Sequence, residues 1–279
     1  MMTRLPSEPR PLADARSLLF VPGDRPDRYA RATAATADLV IVDLEDAVAK
    51  ESKSLARDAV AHWLSHVGSA AVRVNGARTS HHDQDVQALT GLPGLQAVVA
   101  PMSEDPEAMT DLAERLGPDV EVLALVETAV GVIRAVQIAA APGVSRLAFG
   151  HLDFAADIES SLDDQAMLLA RSSLVLASRA AGLPGPVDGV TTTLDNPTRA
   201  GADAGRARRL GFAGKLCIHP TQVEVVNAAF IPSDQDVAWA RRVIQASVAG
   251  GAVRVDGHLV DAPVARRARA VLARIGEGS

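Results

Sequence analysis

Two acidic residues stand just past consecutive apolar runs, Glu127 after VLALV (122–126) and Asp153 shortly after RLAFG (146–150). A buried strand followed by a helix fits each run, which puts both carboxylates at strand C-termini on one edge of a sheet. Parallel α/β folds keep their chemistry on that edge. Two converging carboxylates suit a hard divalent ion such as Mg2+, which takes a few oxygen ligands and leaves room for water and substrate. Each carboxylate alone equally suits the cap of the helix after it. Arg73, inside AVRVN (71–75), adds an anion receptor, because an arginine in a buried strand demands a negative partner. One partner is the acidic cluster DLED (43–46), and a substrate carboxylate held bidentately is a second. Asp43, Glu45 and Asp46 exceed what one arginine neutralises, so at least one can organise water or metal. The other reading of that cluster is a solvated loop or helix cap.

Eight apolar runs recur along the chain: 17–21, 39–43, 71–75, 96–100, 121–126, 146–150, 186–190 and 214–218. The segments between them have room for one helix each, for example over 27–37, 52–65, 83–90, 106–115, 129–140, 165–181 and 199–210. That rhythm predicts parallel strands joined by helical crossovers. The runs are continuous rather than alternating, so both faces are expected to be buried. Eight βα units favour an α/β fold of the (β/α)8 TIM-barrel class over an open sheet. The first strand–helix junction, VPGDRPDR (21–28), lacks the glycine fingerprint of a dinucleotide-binding domain. After the eighth run, 221–229 and 234–248 read as helices, consistent with closing the barrel. AVRVDGHLVDAP (252–263) is a hairpin signal about Asp256-Gly257, and a short helix over 264–275 follows. The expected division is a flexible leader over 1–15, the barrel over 16–250, and a C-terminal extension over 251–279 that contacts a neighbouring subunit.

Composition narrows the function. A net charge of −6 disfavours nucleic acid and anionic membrane as partners, and 3% aromatics disfavours base-stacking platforms. No apolar run is long enough to span a bilayer and no signal-peptide core is evident, so a cytoplasmic location is expected. The single cysteine, Cys217, excludes an internal disulfide and reads as inert core. Gly23 lets backbone approach a ligand at the first strand's exit, with Arg25 beside it. His219 reads as an orienting or core histidine in preference to an acid or base. His81 and His82 have no partner at metal-ligand spacing.

The segments RSLLFVPGDRP (16–26), DLVIVDLEDAV (38–48), VRVNG (72–76), ALVETAVGV (124–132), FGHLDFAADI (149–158), GFAGKLCIHPTQVEVVN (211–227) and VDGHLVDAP (255–263) resemble, in that order, the citrate lyase beta-subunit-like family of the HpcH/HpaI aldolase superfamily. The likeness runs from Arg16 to Ile275. It implies a homotrimer or hexamer with Mg2+ at the C-terminal face of the barrel. On this resemblance Glu127 and Asp153 bind the metal, with Glu127 also on the substrate, and Arg73 binds substrate. Arg16 and the PGDR turn with Gly23 fall where relatives contact the acyl-CoA or carboxylate region. Asp43 and Glu45 support metal-bound water and the arginine. Asp261 matches a catalytic aspartate delivered by a neighbouring subunit; a cap for the helix after it is the alternative. Two departures concern the substrate: Met102 stands where many relatives carry lysine, and Gly150-His151-Leu152-Asp153 replaces a G-x-E-D pattern.

The implied activity is Mg2+-dependent carbon–carbon cleavage or condensation on a 3-hydroxy-diacyl-CoA such as malyl-, citramalyl- or citryl-CoA, with acyl-CoA and oxo-acid partners. Two other readings stay open, an aldolase for free 2-keto-3-deoxy acids and a non-catalytic acyl-binding subunit of a lyase complex.

Overall fold

The computed structural model describes residues 10–247, 253–255 and 257–277. Eight strands close into an all-parallel barrel: β1 Ser17–Pro22, β2 Leu39–Asp43, β3 Ala70–Arg73, β4 Leu95–Ala100, β5 Glu121–Val126, β6 Val144–Phe149, β7 Val187–Asp188 and β8 Gly214–Cys217. Closure comes from β8 pairing with β1. Outside them run α1 Tyr29–Ala34, α2 Lys53–His66, α3 His82–Leu89, α4 Pro106–Leu116, α5 Ala129–Ile133, α6 Ala135–Ala139, α7 His151–Asp157, α8 Asp164–Ala180 and α9 Pro197–Leu210. The strands fall where the apolar runs predict them, although β7 shrinks to two residues. The helix expected over 129–140 breaks at Arg134 into α5 and α6. Its first turn carries the β-branched run Val130, Val132 and Ile133, which is poor helix material.

Alternation along each strand decides what faces inward. Leu18, Leu39, Ile41, Ala71, Ala97, Val99, Leu123, Leu125, Ala148, Val187 and Leu216 fill the barrel interior. Burying each larger side chain contributes about 1.5–3 kcal/mol. Extending the same parity to the strand C-termini turns Asp43, Arg73, Glu127 and Gly150 inward as well. The site is thus set by register before any loop is considered.

The opposite end is sealed by the segment before β1. Leu12 and Ala15 join the interior cluster. The fully buried Arg146 guanidinium donates to the carbonyls of Leu12 at 2.8 Å, Ala15 at 2.6 Å and Gly185 at 2.8 Å. Burial pushes its pKa down to about 10, against the opposing charges of Asp14, Glu121 and Asp38. Residues 12–15 are therefore a barrel plug, which corrects the expectation of a flexible leader for that stretch; residues 1–9 lie outside the described residues.

The chain divides into two compact units at Asn227/Ala228. The helix α10, Val223–Phe230, crosses the division. The second unit holds α11 Asp234–Ser247, the antiparallel pair β9 Val253–Val255 and β10 His258–Val260, and α12 Ala262–Ala273. The hairpin and terminal helix form as expected, but α11 joins them rather than the barrel, because a two-strand hairpin has no core of its own. Ala240 and Val243 of α11 supply it, packing with Val260, Ala268 and Leu272.

Candidate active site

Asp43 and Arg73 are register partners on β2 and β3 and form the centre of the site. Arg73 Nε donates to Asp43 Oδ1 at 2.8 Å and Nη2 to Oδ2 at 2.6 Å, a bidentate pair, while Phe20 lies 5.0 Å below the guanidinium carbon. Asp43 also accepts from the backbone N–H of Glu45 at 2.8 Å and of Ala47 at 3.0 Å, so it fixes the loop that carries the other acids. Arg73 Nη1 lies 2.9 Å from Glu45 Oε2 and 3.3 Å from Asp46 Oδ2. The Glu45 contact is an ion pair by distance only: Oε2 is buried without a hydrogen-bonded partner. Burial works against the charged form of Arg73, yet Asp43, Glu45 and Asp46 outweigh it and its pKa is raised. Glu45 is pushed up to about 7, chiefly by burial, with Arg73 opposing and Asp46 and Asp43 reinforcing.

Glu127 follows β5 and is 3% exposed. Its Oε2 accepts from the backbone N–H of Met102 at 2.8 Å. Met102 holds φ +49°, a left-handed conformation rare outside glycine, and so turns its N–H toward the carboxylate. On the other flank Gly150 touches the same carboxyl group, and a Cβ there would overlap its Cγ, Cδ and Oε1. Glycine at 150 is thus needed for close approach. The Glu127 carboxyl rises to about 8, first through burial, with the Met102 hydrogen bond opposing and the charges of Glu45 and Asp153 adding. Asp153 is exposed in the first turn of α7, the helix that follows β6, β5's neighbour in the barrel, and is near enough to Glu127 to act on it electrostatically.

One arginine thus pairs with Asp43, Glu45 and Asp46 and acts on Glu127, which the charge of Asp153 also reaches. The surplus of buried negative charge, the orphaned Glu45 oxygen and the glycine cradle beside Glu127 all fit a hard divalent cation. Among the described residues no three His, Cys, Asp or Glu side chains form a metal-binding group. Glu127 and Asp153 are two oxygen donors, the count at which Mg2+ completes its shell with water and substrate.

Other expected residues lie elsewhere. Arg16 precedes β1, at the end of the barrel opposite the site, and is bound to Asp38 through Nε at 2.7 Å and Nη2 at 3.0 Å. This corrects its expected place beside the substrate, since the six-residue strand between them spans roughly 20 Å. Gly23 is at the correct end, its N–H donating to the Asp43 carbonyl at 2.8 Å. That close packing ties the β1 exit to β2 and uses up the N–H. Asp261 belongs to the second unit, is exposed, and caps α12 by accepting from the Val264 N–H at 3.2 Å. His219 caps the turn after β8 through Thr221, and Cys217 is buried with its thiol pushed up to about 12. His82 Nδ1 bonds the Asn75 carbonyl at 2.8 Å, and Asp85 holds Asn75 and Arg57, so α3 braces the exit of β3. Sequence reasoning did not reach Met102 as a backbone donor or Gly150 as a cradle; the parity of FG (149–150) was the available signal for the glycine.

The family model described as HpcH/HpaI aldolase/citrate lyase matches residues 16–220. A citrate lyase subunit beta-like protein of Mycobacterium tuberculosis is 37% identical over 269 residues, covering 94% of this chain and 96% of that one. A (3S)-malyl-CoA thioesterase of Cereibacter sphaeroides is 34% identical over 259 residues, 88% and 89% of the two chains. The crystal structure of the M. tuberculosis protein CitE in complex with magnesium, acetoacetate and coenzyme A superposes with a TM-score of 0.83, at 36% identity, over 95% of this chain and 99% of that one.

Proposed function

The chain belongs to the HpcH/HpaI aldolase/citrate lyase family, and from that premise we propose that it is a Mg2+-dependent carbon–carbon lyase for a 3-hydroxy-diacyl-CoA thioester of the malyl-, citramalyl- or citryl-CoA class. The observation that carries this reading is the single buried arginine set among surplus carboxylates inside the barrel rim. It supplies one fork for a substrate carboxylate and, through Glu127 and Asp153, two oxygen donors for Mg2+. Relatives that hold magnesium with acetoacetate and coenzyme A, or act on malyl-CoA, support the same ligand chemistry.

Bound there, Mg2+ would polarise the substrate's hydroxyl and carboxylate oxygens and offset the negative charge that develops as the bond breaks. Arg73, held by Asp43, keeps the carboxylate in one orientation over Phe20. Glu45, with its pKa near 7, takes the hydroxyl proton. The carbon–carbon bond then breaks, its electron pair passing to the thioester fragment as an enolate and leaving an oxo acid. A neighbouring subunit's Asp261 delivers the proton that turns the enolate into the released acyl-CoA; condensation is the reverse. This role for Asp261 requires an assembly, which we take to be a trimer or hexamer with the C-terminal unit reaching the next copy. A cytoplasmic location belongs to the same proposal, because coenzyme A thioesters are the substrates. No helix among the described residues is long and apolar enough to cross a membrane.

The test is to incubate the purified chain with Mg2+ and a panel of short hydroxydiacyl-CoA thioesters and to follow products by mass spectrometry. Acetyl- or propionyl-CoA with an oxo acid is the expected result. Free coenzyme A alone would mean hydrolysis, as the name of the Cereibacter relative describes. No turnover of any thioester, with turnover of free 2-keto-3-deoxy acids, would overturn the reading. Full activity of Glu127→Gln or Asp153→Asn after EDTA treatment would remove the metal assignment.

A further inference from the structure

Glycines at two neighbouring strand exits each make room for a side chain. Gly150, after β6, cradles the Glu127 carboxyl. Gly189, after β7, does the same for His151: a Cβ there would stand 2.1 Å from His151 Nδ1 and 2.9 Å from its Cε1. Only glycine admits a ring that close. Alternation along β7 gives the direction. Val187 faces the barrel interior and Asp188 the helices, so the space beside Gly189 lies on the inner side of the rim. The His151 ring fills it, 6.2 Å from the Phe149 ring. Gly150, the residue before it, touches Glu127, and Asp153 follows two residues later, so the imidazole borders the metal-binding carboxylates on their β7 side. No step of the proposed mechanism uses this group. Its Nδ1 is buried without a hydrogen-bonded partner among the described residues, whereas Nε2 is not sealed in this way and the residue is partly exposed. A buried N–H without an acceptor is rarer than a buried acceptor without a donor, so the ring's proton belongs on Nε2. A cationic ring would donate through Nε2 as well, so the donor is the same in either charge state.

Resting on the lyase reading of this site, we infer that His151 donates from Nε2 to the thioester carbonyl oxygen of the substrate and holds the enolate oxygen that forms there. The order of groups round the rim carries the assignment. Arg73 stands at the end of β3, Glu127 follows β5, Asp153 follows β6, and the His151 ring lies over the exit of β7. A 3-hydroxy-diacyl-CoA presents its carboxylate, hydroxyl-bearing carbon, methylene and thioester carbonyl in the same order. With the carboxylate on Arg73 and the hydroxyl between Glu127 and Asp153, the thioester carbonyl falls two carbons further on, towards His151. When the carbon–carbon bond breaks, its electron pair passes to the methylene carbon and is shared with the thioester oxygen, which becomes negative. The hydrogen bond from Nε2 strengthens against that charge, but the proton stays on the ring. The carbon takes its proton from Asp261, as in the scheme already given. A donor that gains strength only as charge develops lowers the barrier and does little for substrate binding.

His151→Phe keeps a ring and removes the donor, while His151→Gln keeps a donor at similar reach. With Mg2+ and whichever of malyl-, citramalyl- or citryl-CoA the wild type cleaves, His151→Phe is expected to lower kcat about 10²–10³-fold. KM should change far less, and His151→Gln should recover at least about tenfold of the lost rate. Infrared difference spectra of carbonyl-labelled acetyl-CoA, bound with Mg2+ and pyruvate, add a readout that a merely structural role would not move. The bound carbonyl stretch is expected at lower frequency in the wild type than in His151→Phe, with His151→Gln restoring the shift. Wild-type kcat and an unaltered stretch in a His151→Phe variant with native circular dichroism would overturn the inference and leave the lyase reading standing. Equal kcat in His151→Phe and His151→Gln would do the same. A wild type that neither binds acetyl-CoA nor turns over any thioester overturns the lyase reading, and this assignment falls with it. His151→Leu takes the place of the phenylalanine variant should that one unfold.

Discussion

Two clusters of buried charge sit on opposite sides of the barrel wall, and their electrostatics differ. Inside, one arginine meets an excess of carboxylates, and two of them, Glu45 and Glu127, are pushed up to about 7 and 8. Outside, Asp188 of β7 faces Arg171 of α8 at 2.9 Å and Lys215 of β8 at 3.6 Å. Burial opposes the Asp188 charge, but the two cations hold its carboxyl below the usual range. Lys215, lowered by burial, also donates a hydrogen bond to the Gly189 carbonyl, and Arg171 stacks on Phe149. Parity separates the clusters: Val187 and Leu216 face the interior, so Asp188 and Lys215 face the helices. A balanced buried cluster is complete as folded and fastens helix to barrel. An unbalanced one stores a demand for something to bind.

The largest effects should separate the two clusters. Arg73→Met should cut turnover by at least about 10²–10³-fold and cost roughly 3 kcal/mol in urea unfolding, since it strands Asp43. Arg171→Met should cost a similar amount of stability yet leave kcat/KM of the folded fraction unchanged. Equal loss of activity in both variants would erase the distinction.

Acidity sharpens it next. The Glu127 carboxyl is raised when folded, so the metal-free protein has this group's full stabilising contribution below the unfolded value of about 4.3 and loses it as pH climbs to about 8. Mg2+ must displace the proton, so its affinity should rise by about tenfold per pH unit below 8 and then level off. The rise in Tm on adding Mg2+ should accordingly be larger at pH 8 than at pH 6, and Glu127→Gln should abolish both trends. Isothermal titration and thermal melts read these out.

A smaller change follows at the cradle. Gly150→Ala should weaken Mg2+ binding by about 10–100-fold, since the new methyl displaces the Glu127 carboxylate. Unaltered affinity would mean that Glu127 is held some other way. Least affected should be Arg16→Met, which breaks the Asp38 pair at the far end of the barrel. Roughly 2 kcal/mol of stability is expected to go, with KM for the thioester within twofold of wild type. A large rise in KM would return Arg16 to the substrate side.

Much of this was legible in the chain. Continuous runs such as LVIVD and VLALV can only be strands buried on both faces, and eight of them with helical spacers leave few closed arrangements. The acid or arginine at the end of three of these runs then falls at one rim of the barrel, so Asp43, Arg73 and Glu127 were identifiable as neighbours. Arg16 was misplaced because it sits beside a strand that ends at the rim, while its own position is at the strand's other end. Asp261 was legible as either a cap or a catalytic acid; the fold of its own unit shows the cap, and the proposed catalytic role would require a second subunit.

The order of strands, the parity of their side chains and the excess of acid over base at the rim were fixed by the amino-acid pattern, because apolar burial admits one alternation per strand. Whether a buried charge would find its counter-charge was decided only when distant elements met. Asp188 gains Arg171 from a helix and Lys215 from the next strand, while Glu127 gains an N–H from a left-handed methionine, space from a glycine and an attraction from Arg73 that burial outweighs. Electrostatic energy depends on separations of a few ångströms between residues remote along the chain, and only the closed barrel sets those separations.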